Sequence, residues 1–239
     1  MTTIADNLQS VHRRIAAACA AAHRGVGEVQ LLAVSKTFGP EAIREAYDAG
    51  QRAFGENYIQ EAVEKIGSLA PLAIEWHCIG PIQGNKTRLV ATHFAWAHTI
   101  DRLKIAQRLS QQRPDHLPPL QVCIQVNIDG GPSKSGVAPG DALDLARGIA
   151  PLPRVTLRGL MTIPEPAAGF ESQKAVHVRA RALFDQLRGA GLPLDTLSMG
   201  MTADLEAAVA AGSTMVRIGT AIFGARRAKT RVDPGSGPP

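Results

Sequence analysis

Between residues 29 and 219, short apolar, β-branched runs alternate with longer stretches of helical pattern, and this rhythm restricts the chain to repeated βα units around a parallel sheet. Eight such runs occur, at 29–35, 53–55, 74–79, 94–99, 120–127, 155–163, 196–198 and 215–218. Helical patterns lie between them at 40–49, 59–69, 102–112, 141–149, 174–189 and 203–211. The runs are almost continuously apolar rather than alternating, as expected for strands covered by helices on one face and by a packed barrel interior on the other. Eight units in about 190 residues suit a closed barrel, and no G-x-G-x-x-G follows the first strand to favour an open doubly wound sheet. The expected architecture is therefore a single (β/α)8 TIM barrel over residues 1–226, with the 239-residue chain ending in a disordered tail at 227–239. The segment 4–22 has helix composition and no preceding strand, so it should lie across the outside or bottom of the barrel.

Composition narrows the function. The formal net charge is +5, but Arg226, Arg227, Lys229 and Arg231 gather in the C-terminal segment, and only 4% of residues are aromatic. There is no interleaved stacking surface for bases, so nucleic acid is not the expected partner. Cys19, Cys78 and Cys123 are odd in number and widely spaced, so they are read as reduced and mostly buried. The seven histidines show no H-x-x-x-H or H-x-H pairing, and no P-loop or nucleophile-elbow motif is present. No stretch is long and apolar enough for a membrane span, and Met1 to Asp6 lack the order of a signal peptide, which points to a cytoplasmic protein.

In an α/β barrel the C-terminal ends of the strands and the loops after them carry the chemistry. There the sequence places Ser35-Lys36-Thr37, Gly55-Glu56-Asn57-Tyr58, the segment from His77 to Lys86, Asn127, Ser133-Lys134, Gly159 to Pro164, Ser198 to Thr202, and Arg217 to Thr220. Lys36 ends an apolar strand and would project into the barrel mouth. A lysine held there near other cations, such as Lys86, Lys134 or Arg217, keeps more of the free amine that adds to an aldehyde. The loops after the seventh and eighth strands are the usual phosphate site of this fold. Here they supply Ser198, Gly200, Thr202, Gly219 and Thr220, with Thr202 placed to cap the next helix. Arg217 sits in an apolar run, where either an ion pair or a ligand must satisfy it. His77 is either a satisfied core histidine or a ligand contact. Asn57 and Asn127 either cap a strand end or line the mouth of a pocket.

The segments Ala33-Val-Ser-Lys-Thr37, Phe54-Gly-Glu-Asn-Tyr58, Gly80-Pro-Ile-Gln-Gly-Asn-Lys86, Ser133-Lys-Ser-Gly136, Gly159-Leu-Met-Thr-Ile163, Ser198-Met-Gly-Met-Thr202 and Val216-Arg-Ile-Gly-Thr220 occur in one order. Together they resemble the pyridoxal phosphate homeostasis proteins, also called the YggS or PROSC family, over about residues 5 to 226. The resemblance implies a barrel similar to the N-terminal domain of alanine racemase, with pyridoxal 5′-phosphate held as a Schiff base on Lys36. It also implies phosphate contacts from Ser198, Thr202, Gly219 and Thr220, and an arginine, Arg217, facing the pyridine nitrogen; Asn57, His77, Met161 and Gly200 are taken as further candidate cofactor contacts. The resemblance implies a carrier or regulator of the cofactor without established catalysis; for this chain a monomer with pyridoxal-dependent apo-enzymes as recipients is the accompanying expectation. The departures, Ile82 for leucine and Thr202 for serine, conserve volume and hydroxyl respectively.

Two other readings are an amino-acid racemase and an unrelated barrel enzyme acting on a phosphorylated metabolite. Racemisation needs a second acid or base opposite the lysine. Alanine racemases draw a tyrosine from an added β-domain, whereas this chain has only Tyr47 and Tyr58 and sixteen residues after Phe223. A cation at the ring nitrogen also disfavours the pyridinium that makes the cofactor a strong electron sink. The carrier role is therefore the favoured expectation.

Overall fold

The computed structural model describes residues 2–131 and 135–224; Ser133, Lys134 and the expected tail at 227–239 lie outside the described residues. The strands are β1 (Gln30–Val34), β2 (Ala53–Glu56), β3 (Glu75–Cys78), β4 (Trp96–Ile100), β5 (Leu120–Val126), β6 (Val155–Thr162), β7 (Thr196–Ser198) and β8 (Met215–Ile218). They pair in parallel, in chain order, as a closed barrel. Closure comes from the pairing of Gln30 to Ala33 in β1 with Met215 to Ile218 in β8. The described helices are α1 (Ile4–Ala21), α2 (Pro40–Asp48), α3 (Ile59–Ser68), α4 (Thr87–His93), α5 (Leu103–Gln112), α6 (Ala142–Ile149), α7 (Phe170–Gly189), α8 (Leu205–Ala210) and α9 (Thr220–Phe223). All eight expected strands are present, with ends moved by at most two residues.

Each outer helix turns one apolar stripe toward the sheet. In α5 this stripe is Ile105, Ala106 and Leu109, at the spacing that keeps side chains on one helical face. The helix α1 is started by a capping box in which the Asp6 amide donates to Thr3 Oγ1 and the Thr3 amide donates to the Asp6 carboxylate, each at 3.1 Å. It buries Leu8, Val11, Ile15, Ala18 and Cys19 against its neighbours α8, α9 and α2. Asn7 Nδ2 also donates to the carbonyl of Ile222 at 2.9 Å. Thus α1 straps the outside of the barrel across the seam between β8 and β1, one of the two placements expected.

Two helices were not expected. The stretch Thr87 to His93 is too short and too rich in β-branched residues to show a helical period, yet α4 forms there and buries Thr87, Val90 and Ala91. The four-residue α9 is likewise below the length at which a pattern is visible. The helix α7 starts at Phe170, four residues ahead of the expected 174.

The three cysteines are free and buried, and burial pushes the thiols of Cys78 and Cys123 up to about 12, so both stay protonated at neutral pH. Among the described residues no helix is long and apolar enough to cross a membrane, and no cluster of His, Cys, Asp or Glu is placed to hold a metal ion.

The tightest backbone approach joins β6 to β7. A Cβ added at Gly159 would meet the carbonyl oxygen of Thr196 at 1.7 Å, and the ladder shifts register between Val122 and Cys123 where Gly159 pairs. Only a residue without Cβ fits there. Replacing Gly159 by Ala should therefore lower the unfolding free energy by about 3 kcal/mol or more, at the upper end of overpacking costs, measured by urea denaturation.

Candidate functional site

At the C-terminal end of the strands lies a cavity of about 270 Å³, close to the lower bound for small-ligand pockets. Its polar lining is Lys36, Asn57, Thr202, Arg217, Gly219 and Thr220, and Val34, Ile79, Ile163 and Met201 supply apolar walls. Six of the ten residues singled out in the sequence thus meet at one place.

Lys36 does not end β1 itself. The strand stops at Val34, and Lys36 sits half-buried in the following turn, where Thr37 takes a left-handed φ of 70°. That conformation is unfavourable for a β-branched residue and persists only when its surroundings enforce it. The enforcement is visible. Glu61 accepts a hydrogen bond from the Thr37 amide at 3.1 Å. Below the turn, Glu56 Oε1 accepts from the Ser35 hydroxyl at 2.7 Å and from Lys65 Nζ at 2.9 Å, while Lys65 also donates to the Ser35 carbonyl at 3.1 Å. Burial raises the Glu56 pKa, opposed by the Lys65 charge and the Ser35 hydroxyl.

Arg217 is almost wholly enclosed. One guanidinium nitrogen donates to the carbonyl and to the hydroxyl oxygen of Ser198, both at 2.8 Å, and the other donates to the Thr162 carbonyl at 2.8 Å. Burial lowers its pKa to about 10, partly offset by the Asp204 charge, so it remains a cation near neutrality.

The loop after β7 is shaped by Gly200, whose φ is +94° and whose added Cβ would come within 2.4 Å of the Ala208 side chain. Thr202 is not the helix cap expected from the sequence. The N-cap of α8 is Asp204, whose carboxylate instead accepts the Met201 amide at 2.6 Å and the His177 Nε2 proton at 2.9 Å. Arg14 on α1 donates to the Thr202 carbonyl at 3.1 Å, tying the loop to the outer strap. After β8, Gly219 leads into α9 with no side-chain cap, which leaves the first amide donors of that turn beside the cavity.

Four singled-out residues lie outside this lining. His77 is buried inside the barrel, with Nδ1 2.9 Å from His98 Nε2 and Nε2 2.8 Å from Glu75 Oε1, which places it as a satisfied core histidine. Met161 packs with Trp96 and Cys123 in the barrel interior. The Ser198 hydroxyl is taken by Arg217 and approaches His98 Nδ1 at 3.3 Å, and Gly200 forms the turn behind Thr202. Asn127 closes its own loop, accepting from the Gly130 amide at 3.1 Å and donating to the Gly131 carbonyl at 2.8 Å. Lys86 lines an adjoining cleft with Asn57 and Tyr58. Sequence reasoning placed Glu56 at a strand end without its role, and passed over the other supports of the Lys36 turn, Glu61 and Lys65, and the interior pair Glu75 and His98.

Lys65→Met should leave Glu56 buried without its cation and lower stability at neutral pH by about 3 kcal/mol. The Glu56 pKa would rise further above its ordinary 4.5, so the deficit should shrink as pH falls toward that range and the carboxyl protonates in both states. Denaturation midpoints of wild type and variant at pH 7.5 and 5 check the sign; a deficit that grows on acidification refutes it.

The family described as "Alanine racemase, N-terminal domain" matches residues 7–227. The pyridoxal phosphate homeostasis protein of Pseudomonas aeruginosa is 58% identical over 95% of this chain and 97% of its own length. The protein of the same name from Escherichia coli is 55% identical over 95% of this chain and 98% of its own. PipY of Synechococcus elongatus, whose structure is known with PLP bound, is 37% identical and superimposes with a TM-score of 0.82 over 93% of this chain and 100% of its own. Alanine racemase from Corynebacterium glutamicum shares the fold, with a TM-score of 0.70 and 18% identity; the match covers 92% of this chain and 59% of the racemase.

Proposed function

This chain belongs to the family of pyridoxal phosphate homeostasis proteins, built on the alanine racemase N-terminal barrel, and we propose that it holds pyridoxal 5′-phosphate as a Schiff base on Lys36 and serves as a carrier of that cofactor. The observation that carries this reading is the cavity lining: Lys36 and Arg217 share it with two hydroxyls, Thr202 and Thr220, from adjacent strand ends.

The residues fit the group. When bound, the cofactor supplies an aldehyde for the lysine amine, a phosphate and an electron-withdrawing ring. Thr202, Gly219 and Thr220 would take the phosphate with hydroxyl and amide donors, and Arg217 would face the ring nitrogen. The Asn57 Oδ1 atom, buried without a protein partner, stands ready for a donor on the ligand. Val34, Ile79 and Ile163 give the cavity apolar walls beside the lysine.

The charges of the described lining support a holding role. Among the described residues that line the cavity, Lys36 and Arg217 are the ionisable ones, and Tyr58 lines the adjoining cleft. Arg217, cationic near neutrality, disfavours protonation of the ring nitrogen and so keeps the ring a poor electron sink. We read the protein as a cytoplasmic monomer that passes the cofactor to pyridoxal-dependent apo-enzymes.

Lys36→Ala should abolish the borohydride-trapped adduct while leaving non-covalent binding weaker by about tenfold or more, because the lysine and the phosphate loops are chemically separate anchors. Peptide mass mapping after reduction reads the outcome, and a wild-type yield of adduct in the variant removes Lys36 as the principal anchor. Incubated with amino acids in deuterated water, the wild-type protein should exchange Cα protons at least about 100-fold more slowly than a racemase, the scale of a missing general acid or base. Rapid exchange that Lys36→Ala abolishes would replace the carrier reading with an enzymatic one.

A further inference from the structure

A row of buried polar side chains runs through the barrel from the cavity toward the opposite end. Glu75 opens β3 at the N-terminal side, where it lines an open cleft with Trp96 and Arg158, and its side chain is 44% exposed. From there the contacts proceed through His77, His98 and Ser198 to Arg217 at distances of 2.8, 2.9, 3.3 and 2.8 Å. None of the residues between the two ends lines the cavity, and all three are fully buried.

The chemistry of the ends fixes every proton between them. A carboxylate only accepts, so His77 carries its proton on Nε2 and donates it to Glu75. The neutral ring then accepts at Nδ1, which requires His98 to donate from Nε2. His98 in turn accepts at Nδ1 from the Ser198 hydroxyl, and the Ser198 oxygen accepts from the Arg217 guanidinium. All donors point the same way, from the cation to the carboxylate. Burial lowers the pKa of both histidines, and the hydrogen bond from His77 lowers that of Glu75, which agrees with two neutral rings ending on an anion. The His77 ring is further clamped by stacking on Trp96, with centroids 5.2 Å apart and planes 8° from parallel.

We propose that Glu75, His77 and His98 are positioning residues for Arg217: through Ser198 they form a one-directional relay that fixes the guanidinium against the cofactor cavity from the far end of the barrel. The assignment of a ring nitrogen as the partner of Arg217 rests on the reading given under Proposed function; the relay itself does not. A single pair of contacts from Ser198 and Thr162 leaves Ser198 free to rotate its hydroxyl proton toward the guanidinium, and the acceptor on His98 prevents this. The carboxylate at the other end supplies the opposite charge that favours the whole alignment.

Two measurements test this. In the cofactor-free protein, ¹⁵N correlation spectra of the imidazoles should show both His77 and His98 as neutral rings protonated on Nε2; either ring in the other tautomer overturns the relay, whatever the cofactor does. The second measurement compares dissociation constants for pyridoxal phosphate and its 1-deaza analogue, in which carbon replaces the ring nitrogen. Wild type should prefer the natural cofactor by about tenfold, the scale of one hydrogen bond involving a charged group. His98→Phe, Ser198→Ala and the remote Glu75→Leu should each lose most of that preference by weakening the natural cofactor, with the analogue nearly unchanged, and Ser198→Thr should restore it. The absorption maximum of the bound natural cofactor should move with the preference. A merely structural role would weaken both ligands alike, and that result overturns the proposal even if His98→Phe proves unstable, since Ser198→Thr and Glu75→Leu report independently. No preference in the wild type overturns the placement of Arg217 on the ring nitrogen, and with it the functional part of the proposal, while the tautomers still decide whether the relay exists.

Discussion

The interaction on which this architecture turns is the enclosure of one guanidinium. A buried ion costs several kcal/mol unless its hydrogen-bonding groups are met, and Arg217 is met by the carbonyls of Ser198 and Thr162 at the ends of β7 and β6. Those carbonyls converge only when the barrel is closed and in register. The charge therefore penalises any splaying of β6, β7 and β8, while the same three strands set the position from which it lines the cavity. Stability and recognition are here a single constraint.

The opposite wall is organised on the same physical basis with different parts. Glu56, Lys65 and Ser35 form a buried cluster beneath the turn that carries Lys36, and Glu61 holds the strained Thr37 amide. A lysine on a relaxed turn would sample many positions; one mounted on an enforced left-handed turn samples few. Among the described residues the cavity thus has two basic side chains, Lys36 and Arg217, and the polar groups that support each lie outside its lining.

What the sequence made legible follows from burial. Strands covered on both faces need apolar residues at every position, so the eight runs stand out, and a charged residue interrupting or ending such a run, as Arg217 and Lys36 do, announces itself. His77 gave the same signal and a different result. A residue inside a strand can point to the barrel interior at any level, and composition carries no information about that level, so a relay histidine and a ligand contact look alike. The Glu56 to Lys65 pair was invisible for another reason: its members belong to different elements, and their meeting depends on how α3 packs beside β2. The capping of α8 shows the smallest ambiguity of this kind, since Thr202 and Asp204 are both suitable residues within one turn, and only the course of the backbone selects Asp204.

The seam where β1 meets β8, strapped by α1, has a consequence for the order in which the molecule is made. Lys36 belongs to the first βα unit and Arg217 to the last, and the loops carrying Thr202, Gly219 and Thr220 follow β7 and β8. A chain leaving the ribosome therefore displays Lys36 long before the other residues of the cavity exist, and the first strand must wait with an unpaired edge for the last one to arrive. Contacts of such large sequence separation make closure the slow, entropically expensive event of folding. The complete cavity is then acquired in one step at the end of synthesis, and truncated chains, however well they form their early units, should lack it.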